Sequence, residues 1–294
     1  MPAAIPSDWK LRTRTLALGR ETRVMGILNV TPDSFSDGGR LRSVDEAVAA
    51  ALRLFEEGAA IVDIGGESTR PGATPLTPGE EAGRILPVID GILGARPESL
   101  LSVDTYHAAT ARAALEAGAE IVNDVSGLLW DSEMASTCAA LACGVVLMHA
   151  RGQPTEWAAQ PRLEAASVVP LVCEELAERR DVALAAGIAP ECIVLDPGFG
   201  FGKLREDNYT LLAGLPKLAV LGHPLLAGLS RKSFLGHTLA PLYAGWPAPA
   251  EARDAATLAA TIMTILLGAS IVRVHRVRET VEAALVADAL RAAM

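Results

Sequence analysis

The sequence predicts an α/β fold, a (β/α)8 TIM barrel with a short N-terminal hairpin, on three observations. Eight short runs rich in Val, Ile and Leu are spread over the 294 residues. None shows clean apolar–polar alternation, as expected of parallel strands covered on both faces. Stretches of helical character separate them, and strand–helix alternation sustained over this length closes most economically into one barrel. An open doubly wound sheet is the competing arrangement.

The elements follow in order. Residues 1–23, with LALGRETRV at their end, read as a small hairpin over the N-terminal end of the barrel. The eight strands are VMGILNV (24–30), AIVDIGG (60–66), LLSVDT (100–105), EIVND (120–124), GVVLMH (144–149), CIVLDPG (192–198), LLAGLS (225–230) and SIVRVH (270–275). Ser43 and Glu46 form a capping box before AVAAALRLFEEG, and Gly58 closes that helix. Thr77, Pro78 and Glu80 repeat the device with Pro at the first helical position. The helix ATARAALEAG stops at Gly118, and a longer helical region covers 162–187. A Pro-rich insertion, APLYAGWPAPAE (240–251), precedes a final apolar helix. With no internal repeat or long linker, the chain reads as one domain over 1–294.

Composition narrows the function. A net charge of −9 argues against nucleic-acid binding and against an anionic membrane surface. The four cysteines, Cys138, Cys143, Cys173 and Cys192, have neither metal-like nor disulfide-framework spacing, so they read as free thiols in a reducing cytosol. The N-terminus has no basic patch leading into an apolar run, so it is no secretory signal. The uncharged stretch 255–272 approaches membrane-spanning length. However, Thr257, Thr261 and Thr264 recur at helical spacing and Gly268-Ala269-Ser270 breaks the run, which favours an apolar helix and a turn.

The strands share a way of ending. Asn29, Glu67 to Arg70, Asp104, Asn123 with Asp124, His149, Asp196, Ser230 to Lys232, and Arg273 with His275 close the eight runs in turn. In a barrel, all these ends meet at one mouth. Any one of these residues alone reads as a cap or a loop hydrogen bond. Together they point to a binding site, because clustering buried polar groups is costly unless they hold something. Two glycine-rich loops sharpen the reading. GGESTRPGA (65–73) presents Arg70 among small residues, and DPGFGFGK (196–203) lets backbone approach a flat ligand while Phe199 and Phe201 offer ring faces. Neither is a Walker or Rossmann motif. GLSRKSFLG (228–236) reads as strand, turn and helix start, whose backbone N–H groups attract carboxylate or phosphate.

In order along the chain, GILNVTPDSFSDGG, DIGGESTRPGA, SVDT, IVNDVSG, LDPGFGFGK, GLSRKSFLG and VRVH resemble the dihydropteroate synthase family of pterin-binding barrels. The resemblance implies a homodimeric, cytoplasmic enzyme of folate synthesis. It would join 6-hydroxymethyl-7,8-dihydropterin diphosphate to 4-aminobenzoate with help from magnesium, and sulfonamides mimic the aminobenzoate in this family. Carried over, Asp196 accepts from the donor edge of the pterin, with Asp104 and Asn123 as its other partners. Met148 packs on the ring, and Lys232 contacts the pterin and faces the second pocket. Asn29, Arg70, Arg273 and His275 match the diphosphate contacts, with Asn29 beside the metal. Thr69, Pro71, Phe201 and Ser230 outline the aminobenzoate pocket, and Phe35 covers it from a mobile loop. Lys232, Arg70 and Asp104 are the expected catalytic groups. Since the amine is a weak neutral nucleophile, a dissociative substitution with no strong general base suits the chemistry.

Three features depart from the family pattern. Arg276 follows His275 where an Asp is common, His107 follows DTY where a Lys is frequent, and ARGQPTEWAAQP varies the usual loop after the fifth strand. Two rivals stand beside the main reading: a pterin-binding methyltransferase domain that serves a corrinoid protein, and a non-catalytic pterin-binding paralogue.

Overall fold

A computed structural model describes residues 8–30, 43–67 and 75–294. Eight parallel strands form the sheet: β3 (Arg23–Asn29), β4 (Ile61–Gly65), β5 (Leu101–Asp104), β6 (Ile121–Asp124), β7 (Gly144–Met148), β8 (Ile193–Asp196), β9 (Leu226–Ala227) and β10 (Ile271–Val274). Neighbours pair in sequence order from β3 to β8, and β10 lies between β9 and β3. The ring closes at β8 and β9 through the parallel bridge Leu195–Leu225 and the bond from Leu195 N to the Pro224 carbonyl, 3.0 Å. All eight sequence-predicted strands are present.

Among the described residues nine α-helices surround the sheet: α1 (Val44–Glu56), α2 (Pro78–Ala95), α3 (Ala108–Glu116), α4 (Met134–Leu141), α5 (Ala165–Ala185), α6 (Glu206–Ala213), α7 (Ser233–Thr238), α8 (Asp254–Leu266) and α9 (Val277–Ala293). Their starts follow local chemistry. The Ser43 side chain accepts from Glu46 N at 3.2 Å. At α2 the capping box is reciprocal, with Glu80 N donating to the Thr77 hydroxyl and Thr77 N donating to the Glu80 carboxylate. No described helix is long and apolar enough to cross a membrane. The stretch at 255–272 is instead α8, a turn and β10.

Period-two alternation along the strands sorts the side chains into layers. Val62, Ile64, Val122, Leu195, Val272 and Val274 belong to the apolar core shared with the helices. Met25, Ile61, Ile121, Val146, Val194 and Ile271 fill the lower barrel interior. One step up the same inward faces the residues become polar: Asp63, Asn123, Asp196 and Arg273. The interior is therefore a dry floor under a polar chamber.

The floor is sealed from below by the hairpin, which lies slightly earlier than LALGRETRV suggests: β1 (Asp8–Lys10) pairs antiparallel with β2 (Thr15–Ala17). Trp9 is fully buried, packs with the lower layer and donates its indole N–H to the Cys192 carbonyl at 2.8 Å. Gly144 at the foot of β7 is required here, because a Cβ on it would stand 2.5 Å from Leu11. Trp9→Ala is expected to lose about 3–5 kcal/mol of stability by urea unfolding, as truncation of a large buried aromatic does. Activity per folded molecule should persist, because the plug lies at the opposite end from the mouth.

Candidate active site

The C-terminal ends of the strands surround an open basin of about 1590 Å³ whose lining includes Asn29, Asp104, Asn123, Met148, Asp196, Phe201, Ser230, Lys232, Arg273 and His275. Ten of the sequence-predicted site residues thus meet in one hollow. The closeness is local as well as general. A Cβ on Gly65 would lie 3.5 Å from Asp104 Cβ and 3.8 Å from Asn29 Oδ1, and one on Gly228 would lie 3.8 Å from Arg273 Cβ. The other four, Phe35, Thr69, Arg70 and Pro71, lie outside the described residues.

Asp196 ends β8 facing inward and is 5% exposed. Its Oδ1 accepts from Gly198 N at 2.7 Å. Burial raises its pKa to about 6, although Gly198 and the cations Lys232, Lys203 and Arg273 pull the other way. Asp104 is likewise raised to about 6 by burial, against the opposing pull of Arg273. Lys232 moves in the other direction, to about 7, because burial penalises the ammonium more than Asp196 supports it. Its Nζ stands 3.5 Å from the centroid of the Phe201 ring, a cation–π contact.

Arg273 is committed deeper in the barrel. Its Nε donates to Asp63 Oδ2 at 2.6 Å, and its Nη2 donates to Asp104 Oδ2 at 2.5 Å. Burial disfavours the guanidinium, but the two carboxylates outweigh it and hold the group protonated. Asn123 Nδ2 donates to the same Asp63 oxygen at 2.9 Å. Asp63 was not among the sequence-predicted site residues. The available signal was a lone charge in the middle of an apolar strand, since such a residue must face a partner inside a closed barrel.

The loop after β8 is built by its glycines and one lysine. Gly198, Gly200 and Gly202 all have positive φ, and at Gly198 a Cβ would lie 1.9 Å from the His149 carbonyl oxygen. Buried Lys203 donates to the carbonyls of His149, Gly198 and Phe201 at 3.2, 2.8 and 3.3 Å. The loop turns Phe201 into the mouth, edge to face with Trp157 at 4.8 Å between centroids. It turns Phe199 the other way. Phe199 is fully buried in the core and offers no ring face to a ligand, which corrects the sequence reading.

Two other strand-end residues also serve the scaffold. His149 is fully buried 3.1 Å from the Glu175 carboxylate, and its pKa falls to about 4 through burial and then Lys203. Asp124 accepts from Ser126 N and Leu128 N and shapes its own loop. Further round the mouth, Ser230 Oγ and His275 Nδ1 are hydrogen-bonded at 2.8 Å. Glu67, named in the sequence reading only as a strand-end residue without a role, accepts from the Tyr106 hydroxyl at 2.6 Å and from Leu76 N at 3.3 Å. The atypical His107 lies 3.6 Å from the same carboxylate. Arg276 pairs with Glu279 on the rim.

Fold and mouth together define a (β/α)8-barrel enzyme that sets buried carboxylates against cations around a flat-walled hollow. Residues 25–275 match the pterin binding enzyme family. Dihydropteroate synthase from Synechocystis sp. is 43% identical over 272 residues, covering 92% of this chain and 91% of that protein. The structure of the Xanthomonas albilineans dihydropteroate synthase with 4-aminobenzoic acid superposes with a TM-score of 0.86 at 44% identity, covering 97% of this chain and 98% of that one. The Yersinia pestis enzyme with a sulfonamide drug complex gives 0.88 at 40% identity, over 97% and 99%. A bifunctional folate synthesis protein of Pisum sativum is 41% identical, and this chain spans 54% of its length. The chain belongs to the pterin binding enzyme family, on its dihydropteroate synthase branch.

Proposed function

We propose that this protein condenses 6-hydroxymethyl-7,8-dihydropterin diphosphate with 4-aminobenzoate, giving 7,8-dihydropteroate and diphosphate. The observation that carries the reading is the ring of acceptors Asp104, Asn123 and Asp196, set beside Lys232 and Arg273 at one end of the barrel. A pterin presents a guanidine-like donor edge, which a carboxylate such as Asp196 accepts in bidentate fashion. Structures of the Xanthomonas albilineans relative with 4-aminobenzoic acid, a substrate, and with 7,8-dihydropteroate, the product, support the same reaction here. The pocket around Phe201 and Ser230 is then where a sulfonamide, the class of drug in the Yersinia pestis complex, would lodge.

The reaction we favour is dissociative. The bond between the pterin methylene carbon and the diphosphate oxygen breaks, and its electron pair leaves with the diphosphate. The pterin ring nitrogen stabilises the resulting cation. The amine nitrogen of aminobenzoate then forms the new bond and loses a proton to solvent or diphosphate. Asp196 and Asn123 hold the ring, while Lys232 and Arg273 place positive charge where negative charge grows. Phe201 and Trp157 wall the hollow against water, which would otherwise capture the cation.

The mouth also fits magnesium. Asn29 offers one neutral oxygen at an exposed strand end, and Mg²⁺ keeps several waters and binds substrate phosphates. Among the described residues no three His, Cys, Asp or Glu could hold a metal by themselves, so Asn29 would share the ion with the substrate diphosphate, whose charge the metal would offset. We place the protein in the cytoplasm, where its free thiols would stay reduced. We propose a homodimer through α8 and α9, which leave Met263, Leu285 and Leu290 more than half exposed. Met263→Glu combined with Leu285→Glu is expected to give a monomer by light scattering, and a variant that remains dimeric would move the interface elsewhere.

The deciding assay is diphosphate release that depends on 4-aminobenzoate. A corrinoid-serving methyltransferase or a non-catalytic paralogue releases none.

A further inference from the structure

We propose that Asp63 is a positioning residue for the pterin substrate: from inside the barrel it fixes Arg273 and Asn123 against a single carboxylate oxygen, so that both side chains meet the ligand already oriented. The inference rests on the function proposed above and names a group that the function leaves unused.

Asp63 sits at the centre of β4, fully buried, one inward step above the apolar floor residue Ile61. Its Oδ2 accepts from Arg273 Nε at 2.6 Å and from Asn123 Nδ2 at 2.9 Å, which links β4 to β10 and to β6 across the interior. Its Oδ1 is buried with no hydrogen-bond partner among the described residues. A buried carboxylate with an unanswered oxygen is costly to keep. A role in stability alone would be served as well by an apolar side chain of the same size.

What Asp63 supplies is orientation. A guanidinium has five N–H donors in one plane. With Nε taken by Asp63 and one Nη2 hydrogen by Asp104, the plane is fixed and the remaining donors are left for a ligand. Asn123 is fixed by the same atom. Because its Nδ2 donates to Asp63, the amide cannot flip, and its oxygen keeps one position at the mouth. Without this carboxylate Arg273 would retain only Asp104, itself a pterin contact, and the two would collapse into a simple ion pair.

The test is steady-state kinetics on the full chain with Asp63→Asn, and with Asp63→Ser should the first variant not fold, since Ser leaves room for a bridging water. The expected result is a KM for the pterin diphosphate raised about tenfold or more, from loss of pre-set geometry. The KM for 4-aminobenzoate, measured at saturating pterin diphosphate, should stay within about twofold. A purely structural residue would lower the active fraction, hence kcat, and leave both KM values alone; that outcome overturns the proposal, as do unchanged kinetics. A double-mutant cycle gives a second reading. If Asp63 acts through Arg273, Asp63→Asn adds little to the pterin KM of Arg273→Gln, whereas multiplying effects would refute the linkage. Absence of wild-type turnover would instead count against the proposed function itself.

Discussion

Asp196→Asn is expected to lower kcat/KM for the pterin diphosphate by about 10²–10³-fold, the equivalent of roughly 3–4 kcal/mol for unpairing a buried charged hydrogen bond. The substitution is nearly isosteric, and the new amide oxygen still accepts from Gly198 N, so the loop after β8 keeps its turn. What changes is the other half of the group. An acceptor becomes a donor facing the donor edge of the ligand, a mismatch that binding sites punish heavily. Wild-type kcat/KM should also fall as the pH drops below about 6, because Asp196 and Asp104 both take up protons there and lose acceptor strength. Steady-state kinetics between pH 5 and 8 would check both statements. A loss of less than about tenfold in Asp196→Asn would remove this residue from the pterin edge.

Lys232→Met should reduce kcat/KM by a similar factor of about 10²–10³, because an inward-facing cation beside the leaving group is lost. Its effect on stability is expected to be opposite in sign. The ammonium is held at about 7 in the folded protein against 10.5 in the open chain, and burial is the main cause. Protonated Lys232 therefore burdens the fold fully below about pH 7, and the burden fades as the pH rises from 7 towards 10.5. The Tm of the variant relative to wild type should accordingly decline as the pH is raised from 7 to 10. Thermal melts across that range would settle it. A flat difference would mean that Lys232 is better solvated than its place between Phe201 and Asp196 implies.

The sequence announced its strands clearly because every one is a run of Val, Ile and Leu buried on both faces. Convergence of their polar ends followed from closure alone. Four residues were misread or left without a role, because side-chain direction and distant partners are not written in a local pattern. Phe199 and Phe201 are two residues apart in a loop of left-handed glycines, and such a loop sends them to opposite sides, so their shared chemistry said nothing about where each would point. His149 ends its strand like its neighbours but turns behind the sheet to Glu175. Asp63 was hidden by its surroundings. It lies mid-strand, and its partners Asn123 and Arg273 are 60 and 210 residues away. Glu67 was legible as part of a motif, but its bond to Tyr106 spans 39 residues and no local pattern encodes it.

The hairpin plug has a consequence for how the protein can be tethered. Trp9 anchors the start of the described chain beneath the floor, and Arg291 in the last helix reaches back to the carbonyls of Gly19 and Arg20 at 3.4 Å. The hairpin and the end of the last helix therefore share the underside, away from the substrate entrance. A linker, a surface or a second enzyme joined after the last helix would hang below the barrel without shading its opening.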